Sequence, residues 1–178
     1  MIECLFRYCM KVNLPNMYTD IEEFEYILKS ARSVRRKLDF DRPISHEDIE
    51  ACIDVAVQAP TGISGENWRF LVITETELKA RIAKIYCEIM REISSGRGIE
   101  LKSTQRALME RLHEIPCMIM VYAIGEPDDN LSSQVGFFGS ILPAAWSLML
   151  AMRARGIGTT WTSLLSARPD SIARILGV

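Results

Sequence analysis

Three observations on the sequence predict an α+β domain. Two short apolar runs of strand composition, 68–74 and 117–124, stand between turn residues. Amphipathic helical patterns lie before and between them. A long, nearly all-apolar stretch follows the second run and predicts a helix buried on most sides. Strands separated by helices in this way build a central sheet under helical cover.

The elements follow in order. Asp20 with Glu23 marks a helix start, and Ile21, Phe24, Ile27, Leu28 and Ala31 then share one face. Ser45 with Asp48, just after Pro43, marks the next start. Its apolar positions are Ile49, Cys52, Ile53 and Ala56, and it ends at Ala59 because the residue ahead of a proline is pushed out of the helical region. Trp68 to Thr74 predicts a buried strand. The Thr74-x-x-Glu77 signal opens a helix through Leu78, Ile82, Ile85, Tyr86, Ile89 and Ile93, closed by Gly96-Arg97-Gly98. Leu101, Leu108, Leu112 and Ile115 suggest another helix, stopped by Pro116. Cys117 to Ile124 reads as a fully buried strand, and the run Gly125 to Asn130 as an exposed turn. The long helix runs from about Gln134 to Arg155, with Pro143 near its start, where a missing amide costs little.

At 178 residues the chain is one domain by the length prior. Its net charge of −2 leaves no basic surplus to neutralise nucleic-acid phosphates, so no nucleic-acid partner is expected. The five cysteines, Cys4, Cys9, Cys52, Cys87 and Cys117, form no Cys-x-x-Cys pair. With only His46 and His113 beside them, a zinc site or a Cys-His nucleophile is not expected, and a reducing cytoplasm fits best. The N-terminus carries Glu3, Arg7 and Lys11, which interrupt any signal-peptide core. The most apolar helical stretch, Ser140 to Met152, reads as too short for a bilayer, which needs roughly 20 residues, so no membrane partner is expected. Residues 1–18 read as an N-terminal extension to a domain over 19–178.

Two segments carry chemistry. Ala59-Pro60-Thr61-Gly62-Ile63-Ser64-Gly65-Glu66-Asn67-Trp68-Arg69-Phe70 is a loop rich in backbone donors that runs into a strand, and its glycines let the backbone turn amides toward a ligand. Arg32-Ser33-Val34-Arg35-Arg36 offers guanidiniums and a hydroxyl suited to a phosphate. Read blandly, the second segment is a solvated basic patch at a helix end, favoured there by the macrodipole. Arg36 and Lys37 fit that bland reading best.

In this order the two segments resemble the FMN-dependent nitroreductase family. The likeness continues through Leu112-His113-Glu114-Ile115-Pro116, Gly139-Ser140-Ile141-Leu142-Pro143-Ala144-Ala145-Trp146, and Arg155-Gly156-Ile157-Gly158-Thr159-Thr160-Trp161-Thr162-Ser163-Leu164. The resemblance implies a mixed or antiparallel central sheet covered by helices, with the family's C-terminal strand and arm missing after Val178. It implies FMN as cofactor, NADH or NADPH as donor, and a homodimer with the long helix in the interface. Arg32 and Ser33 would serve the flavin phosphate and ribityl chain, and Arg35 the N1/C2 carbonyl end. Pro60, Thr61, Gly62 and Ser64 would lie against the isoalloxazine, and Trp161, Thr162 and Ser163 at its N5 edge. No catalytic side chain is implied beyond the cofactor.

Three departures from the pattern bear on function: Ala31 where many members carry a basic residue, Ser64 for a frequent asparagine, and Glu66 for a frequent glutamine. The implied activity is transfer of electrons from NAD(P)H to a nitroaromatic, quinone or similar acceptor in ping-pong order. One alternative is a degenerate flavin-binding or dimerisation module without robust catalysis. Another is a deiodinase-like reductive dehalogenase, for which Glu88, Arg91 and Glu92 are the only obvious lid material.

Overall fold

The computed structural model describes residues 20–62 and 65–178. The chain divides into two compact units, 1–30 and 31–178. The boundary expected after residue 18 lies outside the described residues, as does Ser64. In the first unit, α1 (Ile21–Ser30) opens as expected, with the Glu23 amide donating to Asp20 Oδ1 at 3.1 Å.

The second unit begins with α2 (His46–Ala56), whose cap is Ser45: its extended backbone lets Oγ accept from the Asp48 amide at 3.0 Å. The helix stops short of Ala59 and unwinds through a turn in which the Ala59 amide reaches only Ala56. β1 (Trp68–Ile73) pairs antiparallel with β2 (Met118–Ala123), in register from Trp68 opposite Ala123 to Ile73 opposite Met118.

Between the strands lie α3 (Thr76–Arg97), α4 (Ser103–Arg111) and a 3₁₀ turn, Leu112–Glu114. The start of α3 differs from the sequence expectation: Glu75, not Thr74, is the flanking residue, and it makes no side-chain cap bond. Gly98 ends α3 at φ 59°, in the left-handed region where glycine carries no Cβ penalty.

The sheet is covered on both faces, which is why neither strand alternates apolar with polar. Leu71, Ile73, Met118 and Met120 pack into a core with Ile82, Tyr86 and Met90 of α3, Leu108 of α4 and Ile172. On the other face Phe70, Ile119 and Val121 pack against Cys52 and Ala56 of α2 and Leu148, Ala151 and Met152 of α5 (Leu131–Ala154). Trp68 sits with Ala59 and Ala144 in a third cluster. Lys79 is only 6% exposed, and its ammonium donates to the Ile115 carbonyl at 2.7 Å and the Pro116 carbonyl at 3.3 Å. It thereby satisfies the chain where it enters β2.

α5 corrects four expectations. Asn130 caps it by accepting from the Ser133 amide at 2.9 Å, so it starts earlier than Gln134. Pro143 consequently stands well inside the helix, and the carbonyl it leaves without a helical partner belongs to the exposed Gly139. At 24 residues the helix is long and apolar enough to cross a membrane by length and composition. It is also not buried on most sides. Ile141, Ala144, Leu148, Met149 and Met152 are buried, while Leu131, Val135, Phe138, Leu142 and Trp146 stay exposed.

After α5 the chain makes no further strand among the described residues. Thr159 forms a single parallel bridge with Ser33, and a 3₁₀ turn (Leu164–Ala167) leads into α6 (Pro169–Leu176). The sequence reading did not anticipate α6, although Pro169 in its first turn and Gly177 at φ 74° after its end are its punctuation.

Candidate functional site

The site is assembled by two segments far apart in sequence. The Val34 amide donates to the Thr159 carbonyl at 2.8 Å. The Thr160 hydroxyl donates to the Val34 carbonyl, and the Trp161 amide donates to Ser33 Oγ at 3.3 Å. Gly158 permits this approach, since a Cβ there would meet Leu38 Cδ2 at 3.2 Å and Val34 Cβ at 3.7 Å.

The lashing brings Arg35 and the run Thr160 to Leu164 onto one wall of a cleft of about 460 Å³. The rest of its lining comes from Tyr86 and Met90 of α3 and from Lys102, Thr104, Gln105 and Leu108 on and just before α4. Burial pushes the Tyr86 phenol above its ordinary value, an effect that the Arg35 charge opposes and Cys87 adds to. Tyr86 is therefore a neutral donor at physiological pH.

Of the sequence-predicted residues, Arg35, Trp161, Thr162 and Ser163 line this cleft. Thr162 Oγ1 accepts from the Leu164 amide at 3.3 Å, and the Ser163 carbonyl accepts from the Ser166 amide at 3.1 Å, so local bonds hold both in place. Ser33 uses an oxygen lone pair on Trp161 and keeps its hydroxyl proton available. Arg32 is exposed and turns one nitrogen to the Ala31 carbonyl at 2.6 Å. Arg36 and Lys37 are exposed, as the bland reading expects.

Pro60, Thr61 and Gly62 do not line the cleft. Gly62 instead meets the N-terminal half of α5, where its amide donates to Ser140 Oγ at 2.8 Å and that hydroxyl donates to the Gly136 carbonyl at 3.0 Å. The expectation that Gly62 turns its amide toward a ligand is thus corrected: the amide is committed to α5. Its role is close approach, since a Cβ would stand 3.1 Å from Ser140 Oγ. Gly65, at φ 74°, likewise donates internally, to the Gly62 carbonyl at 3.1 Å. Where the loop rejoins β1, Asn67 Oδ1 and Trp68 Nε1 are buried with no partner among the described residues.

The deiodinase-type lid material does not reach the cleft. Glu92 pairs with Arg168 at 2.5 Å, and Arg91 lines a separate groove with Cys87 and His113. The residues that sequence reasoning missed are Lys102, Thr104 and Gln105. Their signal was the helix start after Leu101, which brings the first turn of α4 against Tyr86 and Met90.

A family model of the nitroreductase family matches residues 28–178. An iodotyrosine deiodinase from Thermotoga neapolitana is 28% identical over 139 residues, covering 75% of this chain and 69% of that protein. A 5,6-dimethylbenzimidazole synthase from Rhodospirillum rubrum is 27% identical over 150 residues, covering 76% and 66%. The solved FMN-dependent nitroreductase NfnB from Mycobacterium smegmatis, in complex with NADPH, superposes with a TM-score of 0.65 at 22% identity, covering 88% of this chain and 82% of that one.

Proposed function

The chain belongs to the nitroreductase family, and we propose that it is an FMN-dependent oxidoreductase passing electrons from NADH or NADPH to a nitroaromatic, quinone or similar acceptor. The observation that carries this reading is the bridge between Ser33 and Thr159, which sets Arg35 and the Thr160 to Ser163 run on one cleft.

The residues present fit the cofactor. A cleft of about 460 Å³ falls within the roughly 300–1,000 Å³ of small-molecule and cofactor sites. Ser33 has a free hydroxyl proton, Arg35 on the cleft wall meets no aspartate or glutamate there, and Arg32, exposed outside the lining, is a second guanidinium close by in sequence. When bound, FMN supplies the hydride and electron-transfer chemistry. Arg32 and Ser33 would hold its phosphate and ribityl end, and Arg35 would stabilise negative charge at the N1/C2 carbonyl edge. Trp161 would stack near the ring, and the backbone amides or hydroxyls of Thr162 and Ser163 would donate to the N5 edge. Donor and acceptor use the same cleft in turn, in ping-pong order.

The functional unit in this reading is a homodimer with FMN between subunits. Its support is the exposed apolar stripe of α5, Leu131, Val135, Phe138 and Leu142, which flanks the loop of Pro60 to Gly62 through Ser140. That loop does not line its own cleft and would reach the partner's flavin. Free thiols at Cys52, Cys87 and Cys117 support a reducing, cytoplasmic setting. Residues 1–18 are assigned in the same way to an extension outside the catalytic domain.

The test is the visible absorption spectrum of the purified protein, followed by anaerobic reduction with NADH and NADPH and reoxidation by nitroaromatic and quinone acceptors. Flavin bands that bleach with either donor are expected. A colourless protein that gains no flavin on reconstitution would reject the reading in favour of a binding module. A dehalogenating reduction is the second reading, favoured by the deiodinase relative; release of iodide from an iodophenol would select it.

A further inference from the structure

We propose that Arg111 and Phe40 form a clasp that positions Arg35 on the cleft, so that Arg111 serves cofactor binding from outside the lining, through the arm that carries Arg35. This rests on the flavin reading of the same cleft.

The arm is residues 33–44, which form neither helix nor strand beyond the single bridge at Ser33. Ser33 and Val34 are tied to Thr159, Thr160 and Trp161 by the three bonds described above. From Arg35 to Ile44 the one backbone hydrogen bond among the described residues is internal to the arm, from the Asp41 amide to Asp39 Oδ1 at 3.2 Å. The place of Arg35 on the cleft therefore depends on what else holds the arm.

Two side chains do so. Leu38 rests over Gly158, where an added Cβ would stand 3.2 Å from Leu38 Cδ2. Phe40 is half-buried, and its ring centroid lies 3.8 Å from Arg111 Cζ, well inside the reach of about 6 Å over which a cation is attracted to an aromatic face. Arg35 thus sits between the Val34 bonds and the Phe40 contact.

The other half of the clasp is anchored. Arg111 ends α4, between Leu108 and Leu112 of the core, which are 3% and 8% exposed. Its Nε and Nη2 both meet Glu114 Oε2, at 2.7 and 2.6 Å, which orients the guanidinium plane. The Glu114 hydrogen bond holds Arg111 above its ordinary value, and the charge of Asp41, next to Phe40, adds to this, so the arm attracts the arginine a second way. Arg111 does not line the cleft, although Lys102, Thr104, Gln105 and Leu108 before it do. The clasp therefore ties the arm to the segment that lines the cleft beside it. Without it, Arg35 can swing away while the core stays packed.

The experiment titrates FMN into the flavin-free full chain by flavin fluorescence, and follows amide exchange at Val34 and Trp161, the two amides that the junction protects. Phe40→Leu keeps the bulk and removes the aromatic face; Arg111→Met keeps the stem and removes the charge. Each is expected to raise the FMN Kd about two- to fivefold and to speed both amides by a similar factor. Phe40→Trp, which keeps the face, should stay at the wild-type level. In an Arg35→Ala background Phe40→Leu should leave the Kd unchanged, because the clasp acts through Arg35. An equal loss in both backgrounds would make the clasp a merely structural contact and overturn the proposal. A wild-type Kd in Phe40→Leu and Arg111→Met overturns it too, as does a loss in Phe40→Trp equal to that in Phe40→Leu. A protein that binds no flavin rejects the reading of the previous section alone; amide exchange then decides here, and wild-type rates at Val34 and Trp161 in Phe40→Leu overturn the clasp.

Discussion

Ser140 and Gly62 should be energetically coupled, and the sign of the coupling follows from their geometry. Ser140 is 2% exposed, accepts from the Gly62 amide at 2.8 Å and donates to the Gly136 carbonyl at 3.0 Å. The Gly136 carbonyl also lies within the α5 ladder, and Gly62 is exposed, so Ser140→Ala strands neither group. Its cost is that of one net hydrogen bond, about 0.5–1.5 kcal/mol, or roughly 2–4 °C in melting temperature per kcal/mol for a chain of this size.

Gly62→Ala behaves differently in the two backgrounds. Gly62 does not have a left-handed φ, so alanine fits the backbone and restricts the unfolded chain, a gain of about 0.4–1 kcal/mol. In the wild-type background the new Cβ stands 3.1 Å from an oxygen pinned by two bonds, and moving that oxygen weakens at least one of them. The gain is offset or reversed. In the Ser140→Ala background the oxygen is gone and the gain appears in full. Denaturant unfolding of the four proteins should give a coupling of about 0.5–1.5 kcal/mol. Equal effects of Gly62→Ala in both backgrounds, within about 0.3 kcal/mol, would refute the geometry.

Other outcomes can be stated more briefly. Arg35→Ala should weaken FMN binding about tenfold or more, the scale of a lost charge-assisted bond, while Arg36→Ala, on an exposed residue, should change it little; flavin titration reads both, and equal losses reject the assignment. Leu142→Glu, on the exposed stripe of α5, should convert dimer to monomer in light scattering with the fold retained, whereas Met149→Glu, on a buried residue, should unfold the chain. Burial pushes the Cys52 and Cys117 thiols up, opposed by Arg155 and by Lys79 respectively. The folded state therefore holds these protons more tightly than the unfolded chain, a contribution fully present below the ordinary thiol value and lost as pH rises toward the raised one. Melting temperature should fall across that alkaline window, and peptide-resolved alkylation at neutral pH should find Cys52 protected; rapid labelling of Cys52 in the folded protein would contradict its burial.

The parts of the fold that local chemistry decides could be read in advance. Ser45 as a cap, the period of α3 and the Gly98 stop depend on a few neighbouring residues, and they stand where the sequence puts them. The parts decided by distant partners could not. Thr159 to Ser163 has strand composition, yet it forms one bridge because Ser33 is the single bridge partner it meets among the described residues. The commitment of the Gly62 amide to Ser140 depends on a helix 78 positions away. Its sequence trace was a serine inside an otherwise apolar helix. Pro143 misled in the same manner: the start of α5 depended on the Asn130 side chain, hidden in a segment that read as a plain turn.

The junction of Val34 with Thr160 spans 126 positions, and closing a loop of that length costs about 4 kcal/mol by (3/2)RT ln n. Its three hydrogen bonds, at about 1 kcal/mol each net, do not offset that cost by themselves. The arginine arm must therefore wait for the sheet and its helices to pack before it can dock. During synthesis the junction cannot exist until Trp161 has emerged from the ribosome, and Ile172 of the core follows it, so both close late. An anion captured at the finished junction holds shut the part of the molecule that closes last.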